Sequence, residues 1–445
     1  MKNVKWIVIA LLIILIIFII LLMMALNLQQ EGNTNTDNVN TQGTDSIDSA
    51  EATIQKTTDG SKFYTVEQSI NQYLDVKNTA NSVYYGYNEN NEYVQIITAE
   101  EINQYIFDLL SDEYIEQNNI TLDNINDFVQ TQNQNITFMA LDMYELSEPN
   151  EQVYAVYGIE YTLDNQYIRD GYYKVYLDTN NKTFAIEPLN LKSGVNLSQI
   201  ELVNNDDITI EKTNFNQYIE ETANDEYISK KYINSYKVLS IVRPDIMYEM
   251  LDYEYRDAKF GSLEAFQSYI ESNRTEISAI NLQQYQVTQE EAGYKQYVCI
   301  DKNEKYYIFR ATGIMDYTAI LDTYTIDLPE FIEQYNEGTA QEKAALNLQK
   351  VFSAINNKDY QYVYNKLDST FKQNNFPTLA DFETYAENTF YDNNSVGYTN
   401  YQTSGDLHIF ELNITDKSNP TSSAITKNFI MQLLDGTDFV MSFSV

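Results

Sequence analysis

The chain has 445 residues, 43% of them hydrophobic, with a formal charge of −37 from 65 acidic against 28 basic side chains. That length exceeds one ordinary core and points to roughly two to four domains, while the charge repels phosphate backbones and anionic headgroups and excludes nucleic acid as a partner. A single cysteine, Cys299, and a single histidine, His408, rule out an intrachain disulfide and a Cys/His zinc site.

Residues 6–26 (WIVIALLIILIIFIILLMMAL) form an unbroken apolar run. About 20 residues at 1.5 Å each cross a hydrocarbon core of roughly 30 Å, so the run predicts a transmembrane helix. Lys2 and Lys5 precede it, Trp6 suits the headgroup level, and the first charge after it is Glu31. The positive-inside rule therefore places residues 1–5 in the cytoplasm and the rest outside. A cleaved signal peptide would have an apolar region of about 7–15 residues and a small-x-small site; here Met23 stands against Ala25. With no cysteine after the run for a lipid anchor, a retained single-pass anchor is expected. Residues 27–62 are rich in Asn, Thr, Gln, Asp and Ser and predict a disordered linker.

Beyond it the pattern predicts an α+β chain of three tandem domains, over 63–195, 208–335 and 338–445, each with helices first and an antiparallel meander afterwards. In the first, Val66, Ile70, Tyr73 and Leu74 share one helical face. A short insertion with Tyr84, Tyr85 and Tyr87 follows, then a helical pair at 107–129 and strands at 137–145, 153–161, 171–177 and 183–188. The second has a helical region at 214–239, a reset at Pro244, a helical pair at 248–270 and strands at 285–288, 294–300, 306–313 and 317–327. The third opens with a helix at 340–356, striped by Ala344, Leu348, Val351, Phe352 and Ile355. A helical pair at 364–386 follows, then strands at 399–403, 408–415, 424–434 and 438–445, with Asp435-Gly436 as the last hairpin turn.

The helical pair is the repeated element. Tyr248, Leu251, Asp252, Tyr255, Phe260, Ser262, Leu263, Phe266 and Tyr269 align with Tyr364, Leu367, Asp368, Phe371, Phe376, Thr378, Leu379, Phe382 and Tyr385. A more divergent copy has Phe107, Leu110, Tyr114, Ile120, Thr121, Leu122, Ile125 and Phe128 in the corresponding places. Tyr248, Leu251 and Tyr255 at i, i+3 and i+7 read as one face of a short helix. Ser262, Thr378 and Thr121 stand where the next helix should begin, each a cap worth about 1 kcal/mol. An acid beside tyrosines, Asp252 or Asp368, has the makings of a general base, but the first copy has Ser111 there, so a capping or surface carboxylate is the expectation. Cys299 is expected as a small buried thiol and His408 as an ordinary strand residue.

The motif Tyr-x-x-Leu-Asp-x-x-aromatic, a loop, then Ser/Thr-Leu-x-x-Phe-x-x-Tyr, followed by a meander, resembles the nuclear transport factor 2-like superfamily. The likeness is best over the third unit, good over the second and weakest over the first. It implies that helices pack into the concavity of a curved antiparallel sheet, a cone. The whole architecture resembles the bitopic subunits of conjugation and type IV secretion machines, although three outer units exceed their usual one or two. Fold does not carry function. The expectation is a non-enzymatic protein of a bacterial cell envelope, its extracytoplasmic domains contacting unknown envelope proteins. Two alternatives remain: a ligand-sensing module with a cone pocket, which a cone filled by Tyr255, Phe266, Phe371 and Phe382 would sink, and an isomerase with an Asp base and Tyr donors. There is no Gly-Lys-Ser/Thr phosphate loop, no Gly-x-Gly-x-x-Gly, no His-Glu-x-x-His and no EF-hand. No catalytic, cofactor-binding or metal-ligating residue is assigned, and no cofactor is expected.

Overall fold

The computed structural model describes residues 53–56, 59–79, 84–87, 92–125, 135–147, 152–191, 197, 217–218, 220, 222–289 and 293–445. The expected cytoplasmic tail 1–5, the membrane helix 6–26 and most of the linker 27–62 lie outside these residues. Among the described residues no helix is long and apolar enough to cross a membrane.

The architecture is α+β, with helices preceding an antiparallel meander three times over. In the first unit, β1 (Thr53–Lys56) and α1 (Gly60–Thr79) precede a hairpin, β2 (Tyr84–Tyr87) and β3 (Tyr93–Ile97), which the tyrosine-bearing insertion forms. Helices α2 (Ala99–Leu109) and α3 (Asp112–Asn118) follow, then β4 (Ile136–Ser147), β5 (Gln152–Thr162), β6 (Tyr167–Asp178) and β7 (Thr183–Pro188). The sheet order is β1-β4-β5-β6-β7, so β1 adds to the edge of β4, and residues 53–56, inside the stretch expected to be linker, form a strand. Α backbone hydrogen-bonded along this edge has left the disordered state that its polar composition suggested.

The second unit comprises α4 (Asp225–Val242), α5 (Pro244–Glu249), α6 (Tyr253–Lys259), α7 (Leu263–Ser272) and α8 (Arg274–Ser278). Its strands are β8 (Leu282–Gln289), β9 (Lys295–Asp301), β10 (Tyr306–Ala311) and β11 (Tyr317–Ile320). The last strand is shorter than the expected 317–327 because Asp322 turns the chain, its carboxylate accepting from the N–H groups of Tyr324 and Thr325 at 3.1 and 2.8 Å. The third unit opens with α9 (Pro329–Glu337), which the sequence reading missed. Then come α10 (Ala340–Asn356), α11 (Tyr360–Asn365), α12 (Ser369–Asn375) and α13 (Leu379–Thr389), and the strands β12 (Asn394–Ser404), β13 (Leu407–Asp416), β14 (Ile425–Leu433) and β15 (Phe439–Phe443). Helix α10 starts on a capping box between Thr339 and Glu342 and buries Ala344, Leu348, Val351 and Ile355, as its stripe predicts. The opening meander strands β4, β8 and β12 each contain a bulge, between Ala140 and Asp142, Leu282 and Gln284, and Tyr398 and Asn400.

The repeated stretch differs from the two-helix expectation in one respect that explains it. Tyr248, Leu251 and Tyr255 do not share a helix: α5 ends at Glu249, Leu251 forms a parallel bridge to Ala319 of β11, and Asp252 starts α6. Leu367 bridges Met441 of β15 and Leu110 bridges Ile186 of β7 in the same way. A helix cannot continue through a residue whose backbone is paired to a strand, so the leucine breaks each helix and covers the closing edge of each sheet. Buried residues pass from unit to unit. Met139, Ile159 and Tyr161 of the first sheet pack in one core with Tyr232 and Tyr236 of α4, and Ile314 joins the first core. Ala52–Val445 is accordingly one compact body.

Candidate functional site

The acids of the repeat hold helix ends. Asp252 accepts from the Tyr255 N–H at 3.1 Å and Asp368 from the Phe371 N–H at 2.9 Å, while Ser111 accepts from the Tyr114 N–H at 3.2 Å. Each of these three residues also donates its own N–H to the bridged strand, to Ala319, Met441 and Ile186 at 2.8–2.9 Å. Aspartate and serine are interchangeable here because the position needs only one acceptor oxygen near the helix start. The next helices are capped by Ser262 and Thr378, and Thr121 accepts from the Asn124 N–H at 3.3 Å.

Tyr255, Phe266 and Phe382 are fully buried, and Phe371 is half-buried. In the third unit Phe443 lies at the centre of an aromatic cluster, with ring centroids 5.0 Å from Phe371, 5.2 Å from Phe429 and 5.6 Å from Tyr385. In the second, a small cavity of about 210 Å³ remains beside Tyr236, Tyr255 and Tyr307. Its strongest feature is Asp322, which is buried and accepts from Tyr255 Oη at 3.1 Å, Thr325 Oγ1 at 2.7 Å and Lys259 Nζ at 3.1 Å, besides two backbone N–H groups. Lys259 also pairs with Asp359, the cap of α11, and so ties the second unit to the third. Five donors fill the acceptor positions of this carboxylate. Burial, then the neighbouring Asp322 charge, raises the Tyr255 hydroxyl pKa well above the ordinary phenol value. This arrangement locks a joint.

A cavity of about 570 Å³ between α10, β12 and the 303–306 turn is likewise a joint, lined by Asn356 and Asn394, which hydrogen-bond one another at 2.8 Å, and by the Lys417–Glu304 ion pair. Cys299 is fully buried in β9, and burial pushes its thiol up to about 12. His408 is buried in β13 with its Nδ1 2.9 Å from the Tyr401 hydroxyl.

The arrangement the sequence reading missed lies in the first unit. A cavity of about 560 Å³ opens between the end of α1, Tyr114 of α3 and strands β5 to β7. Glu160, 1% exposed, projects into it and is held by Arg169, with Nε to Oε2 at 2.9 Å and Nη2 to Oε1 at 3.2 Å, and by the Tyr173 hydroxyl at 2.6 Å. Glu160 and Arg169 face each other across the β5–β6 ladder, next to a bulge at Ile168 that re-aims the strand end. Gly158 and Gly171 are paired on the same ladder; a Cβ at Gly158 would lie 2.5 Å from the Phe138 ring, so the glycines make the space in which that ring sits against Tyr173. The signal was in the strand alternation: Tyr154, Val156, Gly158 and Glu160 share one face. The expected strand began at Gly171, which left Arg169 out of the sheet. Among the described residues no group of three or more His, Cys, Asp or Glu could hold a metal ion.

No family model, curated protein or solved structure matches this chain.

Proposed function

We propose that the chain is a single-pass, non-enzymatic membrane protein whose extracytoplasmic α+β units, of the nuclear transport factor 2-like type, make protein–protein contacts in a bacterial cell envelope. The supporting observation is the treatment of sheet edges. The closing strands β7, β11 and β15 are each bridged by the leucine of the repeat. Of the opening strands, β4 is covered by β1, whereas among the described residues no further strand pairs with β8 or β12. Their sequences, LQQYQVTQ and NSVGYTNYQTS, contain no charged residue and no proline. Proteins ordinarily blunt an open edge with charge, proline, a bulge or a covering element; β8 and β12 each have only a bulge, and β4, bulged in the same way, still takes β1 on its edge, so an extended segment of another chain can add here. The β1–β4 pairing is the same contact made within the chain.

Photo-crosslinking in cells that produce the full chain tests this. A benzophenone amino acid at Tyr398 of β12 or Tyr285 of β8, both exposed, should give discrete protein adducts. The same probe at Leu163, an exposed loop site, should not. Absence of adducts at both strands overturns the reading.

A further inference from the structure

The first-unit cavity contains a buried donor that lacks an acceptor and, beside it, a half-buried lysine. Tyr73 is 1% exposed, and its hydroxyl has no hydrogen-bond partner among the described residues. Leaving such a group dry costs free energy that a partner would recover. Lys77, one turn further along α1, lines the same cavity with its Nζ 5.8 Å from the centre of the Tyr73 ring, and no acid pairs with it among the described residues. Burial, and then the nearby Arg169 charge, lower the pKa of Lys77. Glu160 accepts from Tyr173 and Arg169 at Oε1 and from Arg169 at Oε2, and among the described residues it takes no hydrogen bond from either donor. A water molecule can take the Tyr73 hydrogen bond but leaves the ammonium uncompensated.

Charge fixes what is missing. Arg169 pairs with Glu160, and Asp170, which also lines the cavity, pairs with Arg243, so Lys77 is the one cation of the lining with no acid on it among the described residues. A phosphate dianion would overcompensate it and face Glu160; one carboxylate balances it. The walls are the rings of Tyr73, Tyr114, Tyr167 and Tyr173 with Leu189 and Leu191, and the volume of about 560 Å³ lies within the range of small-molecule sites. We propose that this cavity binds a small monocarboxylate with an aromatic body, the carboxylate accepting from Tyr73 Oη–H and Lys77 Nζ and the body lying against the tyrosine rings. This goes beyond the envelope-contact reading and involves neither β8 nor β12.

The probe is 2-naphthoate, titrated calorimetrically into the full chain in detergent, with 2-naphthamide as its uncharged counterpart. Binding of the acid is expected, with the amide weaker by about tenfold or more, the scale of a hydrogen bond to a charged group. Lys77→Met should weaken the acid by about tenfold and leave the amide nearly unchanged, and Tyr73→Phe should weaken the acid by about tenfold and the amide, whose carbonyl also accepts from the hydroxyl, by less, while Lys77→Arg should retain binding of the acid. Tyr73→Phe removes an unpartnered buried hydroxyl, so the free variant should melt no lower than the parent while losing the naphthoate-induced rise in Tm. A merely structural Tyr73 would lower both. Absence of naphthoate binding, equal binding of acid and amide, or indifference to both Lys77→Met and Tyr73→Phe overturns the proposal.

Discussion

Replacing Asp368 separates a capping acid from a chemical one. Its carboxylate accepts from the Phe371 N–H at 2.9 Å, whereas its backbone N–H reaches Met441 O at 2.8 Å and the Met441 N–H reaches Lys366 O at 2.8 Å. Asp368→Ala removes only the first of these three bonds. The side chain is half-buried and the substitution opens no apolar cavity, so the loss should be that of one N-cap, about 1 kcal/mol, or about fivefold in the local closing equilibrium. Asp368→Ser installs what the first unit uses at Ser111, which caps α3 at 3.2 Å, and should lose no more than a few tenths of a kcal/mol. Hydrogen exchange followed by mass spectrometry over residues 364–376 reads the local opening, and urea unfolding followed by circular dichroism reads the whole body. If the serine variant loses as much as the alanine variant, the carboxylate charge matters and the capping argument is wrong. A loss of several kcal/mol for alanine would refute it as well.

Phe443→Ala should be far more damaging than its place in the last strand suggests. Phe443 is 5% exposed and packs on five aromatic rings, including Phe376 and Phe382, so a loss of about 3–5 kcal/mol is expected in urea unfolding. Lys259→Met strands two acids, Asp322 and Asp359, at the joint between the second and third units. A cost of about 3–5 kcal/mol is the scale for breaking a buried pair, and limited proteolysis should then cut first near residues 322–328. Cys299, its thiol pushed up to about 12 by burial, should resist alkylation at pH 8 until the chain unfolds. Tyr157, Tyr161 and Tyr297 are each pushed up to about 12, chiefly by burial. The folded state therefore holds these protons more tightly than the unfolded chain, whose tyrosines titrate near about 10. That contribution is fully present below pH about 10 and is lost as pH rises towards about 12; stability falling over that window in step with tyrosinate absorbance is the expected result.

Much of this fold could be read from residues because its local signals agree with its tertiary contacts. The stripe Ala344, Leu348, Val351 and Ile355 with a Thr339 cap gives α10 its ends, and alternation of Phe439, Met441 and Phe443 gives β15 its buried face. The break at Leu251 was hidden because Tyr248, Leu251 and Tyr255 satisfy helical spacing perfectly well. Only the sheet edge supplied by Ala319, 68 positions later, overrides that preference. The order of β1 was hidden for the same reason: a polar segment acquires a strand conformation when an unpaired edge offers its backbone partners, and composition reports side chains alone. The first-unit cavity was legible only in part: alternation puts Glu160 on the face of Tyr154 and Val156, but Glu160 and Arg169 meet across a bulge at Ile168, and no spacing along the chain encodes that meeting.

The three copies of the repeat share backbone architecture and diverge in what stands three residues after the cap. Tyr114, Tyr255 and Phe371 hold that position, each with its N–H on the capping oxygen. Phe371 meets Phe376 and Phe443 and completes an apolar interior. Tyr255 reaches Asp322 at 3.1 Å and becomes part of the polar lock with Lys259. Tyr114 borders the open cavity with Tyr73 and Glu160. The leucine bridge and the cap fix where that side chain enters, so each unit can change what fills its interior without changing how its helices join its sheet. The proposed binding site in the first unit, the polar lock of the second and the aromatic cluster of the third are thus compatible with one repeated frame, and the frame itself assigns chemistry to none of them.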